Sequence, residues 1–162
     1  MPLRQHDYPY PLPGNPSLRQ PAQHRIFRPM PSHWSLQALL SVALGGAAGS
    51  VARYLIGGVI QRVGTGFPYG TLAVNVTGSF LLGVLMPVLL ARATAPEVRL
   101  FLTIGFCGGY TTFSTFAYES TLLLQDGRLW RAGIYIVLSA AMTIAAMLAG
   151  FSSGRLILHV HR

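Results

Sequence analysis

The chain has 162 residues, of which 51% are hydrophobic and only 10% are charged, and its formal net charge is +8. Such a composition is typical of membrane proteins. The positive charge comes from arginines without a single lysine, placed in the first segment and near the ends of apolar runs. Arginine is ordinary at a membrane interface, and nucleic-acid-binding motifs are missing, so we expect lipid contact and no nucleic-acid binding.

The first 31 residues contain eight of the eleven prolines and four arginines. They cannot form a regular helix, and no apolar stretch resembling a signal peptide precedes Trp34. We therefore predict three parts. Residues 1–33 are a disordered tail, residues 34–156 are a transmembrane domain, and residues 157–162 are a short C-terminal tail.

Four apolar runs are long enough to cross a bilayer, which takes about 20 residues each. They predict an all-α, multi-pass membrane protein without a separate soluble domain, and we expect it in the cell (inner) membrane. The predicted helices are Leu36–Ile60, Tyr69–Leu90, Leu100–Tyr118 and Ala132–Gly154.

The first predicted helix begins after Ser35, a suitable N-cap. Gly45 and Gly49 form a GxxxG pair, which permits close helix contact, and Arg53 follows on the same face. Arg53 has two interpretations. Either it lies near the helix end and extends to water, or it forms a positively charged vestibule that attracts anions.

The second predicted helix places Thr71, Asn75, Gly78 and Ser79 on one stripe. An amide exposed to hydrocarbon is costly, so Asn75 must face protein, water or a ligand. Either Asn75 makes an interhelical hydrogen bond, which is the simpler interpretation, or its amide binds an ion.

The third predicted helix is unusual because residues 105–116 combine a glycine pair with hydroxyl and phenylalanine residues. Irregular backbone at membrane depth must be buried in protein or line a cavity. We predict a break at Gly108-Gly109, which would release the carbonyls of Gly108 and Thr111 from helical hydrogen bonds. Such carbonyls are suitable ligands for a hard cation such as sodium.

Phe113 and Phe116 are three residues apart and share a helix face. Their positively polarised ring edges would suit a small anion in a dry pore, although packing is a simpler role for such a pair. The fourth predicted helix carries Tyr135, Ser139 and Thr143 at intervals of four residues. This stripe is either a polar track for an ion or a set of hydroxyls bonded to their own helix.

Catalytic constellations are missing from the sequence. The histidines lie in the terminal segments, and Glu119 is the carboxylate nearest the apolar interior. Cys107 stands alone, so we interpret it as a small packing residue. We predict that the protein is not an enzyme.

Three motifs resemble the Fluc/CrcB family of fluoride channels in order and in spacing, and the similarity spans about Leu36 to Arg155. They are Gly45-Gly-Ala-Ala-Gly-Ser-Val-Ala-Arg-Tyr54, Gly70-Thr-Leu-Ala-Val-Asn-Val-Thr-Gly-Ser-Phe80 and Gly105-Phe-Cys-Gly-Gly-Tyr-Thr-Thr-Phe-Ser-Thr-Phe116.

The resemblance implies an antiparallel, dual-topology homodimer of four-helix subunits with two fluoride pores. It implies a structural sodium ion at the dimer centre, on the carbonyls of Gly108 and Thr111, and Arg53 in a vestibule. Fluoride would leave the cell passively, which gives fluoride resistance. The residues implied to line each pore are Asn75, Phe113, Ser114, Thr115, Phe116, Glu119, Tyr135, Ser139 and Thr143.

Two other classes of membrane protein are alternatives to a fluoride channel. A small proton-coupled multidrug exporter also has four helices, but it needs a carboxylate in its first helix, where this chain has Arg53. A non-transporting membrane scaffold would explain Gly45 and Gly49 but not Asn75 together with the hydroxyl stripe.

Overall fold

A computed structural model describes residues 35–64 and 66–160. Every regular element in these ranges is helical, as predicted. The elements are α1 (Leu36–Gln61), α2 (Tyr69–Ala91), α3 (Pro96–Leu100), a π-helical segment (Phe101–Cys107), α4 (Gly108–Tyr110), α5 (Phe113–Gln125) and α6 (Leu129–Val160). The predicted tail, residues 1–33, lies outside the described residues.

Among the described residues, α1, α2 and α6 are long and apolar enough to cross a membrane. The third predicted span is present as the series from α3 to α5, and it is broken as the sequence predicts. The last helix differs from its prediction because it begins at Leu129 and continues to Val160. Residues 157–160 of the predicted C-terminal tail are therefore helical.

The two glycines of the GxxxG pair bring α1 against the third predicted span of the same chain. A Cβ atom on Gly45 would collide with the carbonyl oxygen of Phe101, and one on Gly49 with that of Phe106. Both of these carbonyl groups belong to the π-helical segment. Ser35 caps α1 as predicted, since its side chain accepts a hydrogen bond from the Ala38 N–H at 3.1 Å.

Helices α2 and α6 pack with similarly close backbones. A Cβ on Gly83 would lie 2.5 Å from the carbonyl oxygen of Met147, and one on Gly154 would lie 2.6 Å from that of Val84. This contact brings the buried Ser79 of α2 to the same cavity as the polar stripe of α6.

The break in the third span lies at Thr111 and Thr112, so its predicted position at Gly108-Gly109 is wrong. The glycines form most of the short helix α4, whereas Thr111 (ψ 159°) and Thr112 (φ −152°, ψ 114°) are extended. Gly109 is needed for a close contact, because a Cβ there would lie 2.5 Å from the carbonyl oxygen of Gly46.

Candidate functional site

The side chain of Asn75 holds the break in place through two hydrogen bonds to one residue. Its Nδ2 donates to the Thr112 carbonyl at 3.1 Å, and its Oδ1 accepts from the Thr112 N–H at 2.7 Å. The amide thus acts like a neighbouring strand for the extended backbone. Because Nδ2 carries two hydrogens, one N–H of Asn75 remains available after this pairing.

The break also redirects the hydrogen bonds that two carbonyls would accept in a continuous helix. The Thr112 N–H would donate to Gly108 but donates to Asn75. The Thr115 N–H would donate to Thr111 but donates to the Thr112 hydroxyl at 3.2 Å, which caps α5. The carbonyls of Gly108 and Thr111 therefore lose these helical donors, through a break at Thr111 and Thr112 and not at the glycine pair.

A groove of about 320 Å³ runs beside the break and collects most of the predicted pore residues. Its described lining contains no charged side chain and mixes amide, hydroxyl, aromatic and aliphatic groups. The lining residues are Asn75, Ser79, Thr111, Thr112, Phe113, Phe116, Ser139, Ala140, Thr143 and Ile144.

The two phenylalanines share the groove but differ in their surroundings. Their ring centroids are 5.5 Å apart with an interplanar angle of 48°. Phe116 also packs against Tyr135, at 5.2 Å between centroids. Phe113, by contrast, is 79% exposed in a single chain. Phe116 therefore both packs against Tyr135 and lines the groove. Phe113 lines the groove and has little packing within a single chain.

Ser139 is the most informative hydroxyl of the groove. The residue is only 6% exposed, and its Oγ atom has no hydrogen-bond partner in the described part of the chain. A buried polar group without a partner costs about 1–3 kcal/mol. Since Ser139 lines the groove, a bound ligand can supply the missing partner.

Glu119 accepts hydrogen bonds on both carboxylate oxygens. The Thr71 hydroxyl donates to Oε1 at 2.8 Å, and the Tyr135 hydroxyl donates to Oε2 at 2.7 Å. Tyr135 is completely buried and does not line the groove. The predicted stripe on α6 therefore divides, because Ser139 and Thr143 reach the groove whereas Tyr135 holds Glu119.

A second cavity, of about 400 Å³, brings Arg53, Thr115 and Glu119 together. Thr112 lines this cavity as well as the groove, so the break forms a wall that the two share. Arg53 is partly exposed here, which is compatible with both of its interpretations. Ser114 lines neither space. It is exposed, with its hydroxyl 3.3 Å from that of Thr112.

Two important residues were not selected from the sequence. Thr112 caps α5 and pairs with Asn75, and its position before a Phe-Ser-Thr helix start was the available signal. Gln61 ends α1 and bonds to three backbone atoms around the next connection. Cys107 is 1% exposed, which agrees with its interpretation as a packing residue.

Comparison with known proteins identifies the family. Residues 40–151 match the family described as CrcB-like protein, Camphor Resistance (CrcB). The chain is 45% identical over 121 residues to a protein of Nitrobacter hamburgensis named Fluoride-specific ion channel FluC 1, covering 74% of this chain and 96% of that protein. It is 47% identical over 122 residues to Fluoride-specific ion channel FluC of Geobacter sulfurreducens, covering 74% and 98%. The chain therefore belongs to the CrcB family.

Proposed function

We propose that this protein is a fluoride-selective ion channel, which lets fluoride leave the cell passively and so lowers its toxicity. The relatives named as fluoride-specific channels support this function. The observation that carries it in this chain is the uncharged groove beside the break. There the unpartnered Ser139 hydroxyl lies with Asn75 and two phenylalanines.

The groove supplies hydrogen-bond donors to an anion without a fixed positive charge. The second N–H of Asn75 and the hydroxyls of Ser139 and Thr143 donate, while the ring edges of Phe113 and Phe116 add weak positive potential. Conduction requires binding strong enough for entry and weak enough for exit. Neutral donors meet this requirement better than an arginine at the same place would.

The route continues past the break into the second cavity. Thr112 separates the two spaces, and beyond it lie Thr115, Glu119 and Arg53. Arg53 attracts anions to this end. Glu119 repels them unless its charge is offset, and its hydrogen bonds from Thr71 and Tyr135 disperse part of that charge. Ser114, which lines neither space, touches this route only through its hydroxyl contact with Thr112.

The working unit is an antiparallel, dual-topology homodimer of four-helix subunits in the cell inner membrane. Two observations support a second copy: the groove is not enclosed in a single chain, and Phe113, which lines it, is 79% exposed. A partner that covers this side would enclose the ion and remove the ring from lipid. Two equivalent grooves would then give two pores.

A structural sodium ion fits the released carbonyls of Gly108 and Thr111. Sodium prefers hard oxygen ligands, and the N–H groups that would occupy these carbonyls in a helix donate elsewhere. When bound, the ion would supply positive charge that offsets the negative ends of these carbonyl dipoles. The two residues of each subunit would hold it, and it would not be transported.

Fluoride efflux from liposomes that contain the purified protein tests this function. A fluoride electrode records the efflux, and a potassium ionophore removes the membrane potential. We expect fast fluoride efflux, silence when the liposomes contain chloride, and no dependence on a proton gradient. Absence of fluoride efflux from a folded dimer would refute the channel, and strictly proton-coupled transport would favour the exporter.

A further inference from the structure

Gln61, the last residue of α1, uses its whole side-chain amide to organise the connection to α2. Its Nε2 donates to the carbonyls of Gly64 at 2.8 Å and Phe67 at 3.0 Å, and its Oε1 accepts from the Gly70 N–H at 3.0 Å. A primary amide has two N–H donors, so both are committed. The side chain thus joins the end of one helix, the connection and the start of the next.

The hydrogen bond to Gly70 replaces a cap that α2 lacks. The N-cap residue is Pro68, which offers no side-chain acceptor, and the first N–H groups of a helix have no partner within it. Gln61 supplies the acceptor from the preceding helix. Gly70 permits this approach, because a Cβ there would collide with the carbonyl oxygen of Gly57 and lie 3.3 Å from the Cβ of Gln61.

Both anchor points lie directly beside the groups that hold Glu119. Gly70 precedes Thr71, whose hydroxyl donates to Oε1. Phe67 packs edge-on against Tyr135, with ring centroids 5.4 Å apart and an interplanar angle of 82°, and Tyr135 donates to Oε2. A shift of the connection would therefore disturb both donors to this carboxylate together.

Gln61 also lies at the border of two cavities. It lines the cavity that contains Arg53 and a smaller one, of about 160 Å³, that contains Asp126 and Arg128, and Glu119 lines both. We propose that Gln61 is a positioning residue for the ion path, which fixes the Glu119 carboxylate through Phe67 and the start of α2. This inference rests on the proposed function.

The test substitutes Gln61→Met, which keeps the length of the side chain and removes its hydrogen bonds. Gln125→Met is the matched control, because Gln125 also ends a helix, α5, and is exposed. In the full-length protein in liposomes, we expect Gln61→Met to reduce the rate of fluoride efflux at least about twofold, because the substitution removes three hydrogen bonds and the loss of even one corresponds to a factor of about two or more. Gln125→Met should conduct at the wild-type rate.

A double mutant separates positioning from general destabilisation. In a Tyr135→Phe background one of the two donors is already absent, so adding Gln61→Met should slow efflux less than it does in the wild type. An equal fold-reduction in both backgrounds would overturn the proposal. If Gln61→Met does not fold, Phe67→Leu can replace it in both backgrounds. Leucine keeps position 67 apolar but removes the ring that packs against Tyr135.

Hydrogen–deuterium exchange gives a readout that does not depend on transport. The Gly70 N–H should exchange at least about fivefold faster in Gln61→Met than in wild type or Gln125→Met, because its acceptor is lost. Unchanged exchange at Gly70 would overturn the proposal. If wild-type protein shows no fluoride efflux, the proposed function fails, whereas the exchange result still decides whether Gln61 fixes the start of α2.

Discussion

Replacement of Asn75 by leucine tests whether this residue braces the broken helix. Leucine has nearly the same shape but cannot bond to Thr112, which is 7% exposed. The change leaves the N–H and carbonyl of Thr112 without their partner. Each unpaired buried group costs about 1–3 kcal/mol, which sums to roughly 2–6 kcal/mol. Hydrogen bonds measured inside a membrane protein average about 0.6 kcal/mol, so about 1 kcal/mol is the lower bound for two.

Unfolding of the purified protein in detergent measures this loss, with fluoride efflux recorded on the same preparations. Thr121→Val is the control, because that exposed hydroxyl bonds to its own helix at Ala117. The control should change the free energy of unfolding by less than about 0.5 kcal/mol. The bracing argument is wrong if Asn75→Leu unfolds like the wild type. Normal stability with abolished efflux would assign Asn75 to the ion alone.

Four further substitutions and one control probe the groove and the helix packing around it. Phe113→Ile should strongly slow fluoride efflux and leave the stability nearly unchanged. Phe116→Ile should slow efflux and also lower the stability, because the Phe116 ring packs on Tyr135. Normal conduction by both variants would refute the ring-edge mechanism. Ser139→Ala should slow efflux without loss of stability in an unfolding assay, since it removes an unpartnered hydroxyl, and a clear destabilisation would reveal a missed partner. Gly49→Ala should destabilise the fold by about 1–3 kcal/mol through collision with the Phe106 carbonyl, while Gly133→Ala, which meets open space, should unfold like the wild type.

The sequence predicted the groove better than it predicted the break. Apolar run length locates the spans, and helical spacing places Phe113 with Phe116 and Ser139 with Thr143. The position of the break depends on Asn75, a contact across 37 residues that local propensity does not contain. Glycine is flexible, but here Gly109 serves a close contact and stays helical.

The division of the stripe on α6 has a geometric cause. Residues four apart on a helix are offset by about 40°, so the stripe turns by about 80° between Tyr135 and Thr143. That rotation directs Tyr135 towards Glu119 on α5 and Thr143 towards the groove. Spacing alone places three hydroxyls on one side of the helix. The partners that each one meets depend on how α5 returns after the break.

The hydrogen bonds at the break give a reason why one region could hold both the proposed anion and the proposed cation. Asn75 accepts from the Thr112 N–H and the Thr112 hydroxyl accepts from the Thr115 N–H, so the carbonyls of Gly108 and Thr111 remain as acceptors. Acceptors repel fluoride and attract sodium. In the proposed channel, fluoride would therefore obtain its donors from side chains, and Ser139, whose hydroxyl has no partner in the described residues, would gain most from the ion. The proposed sodium ion, if bound to these carbonyls, would offset the negative potential that they impose on the groove.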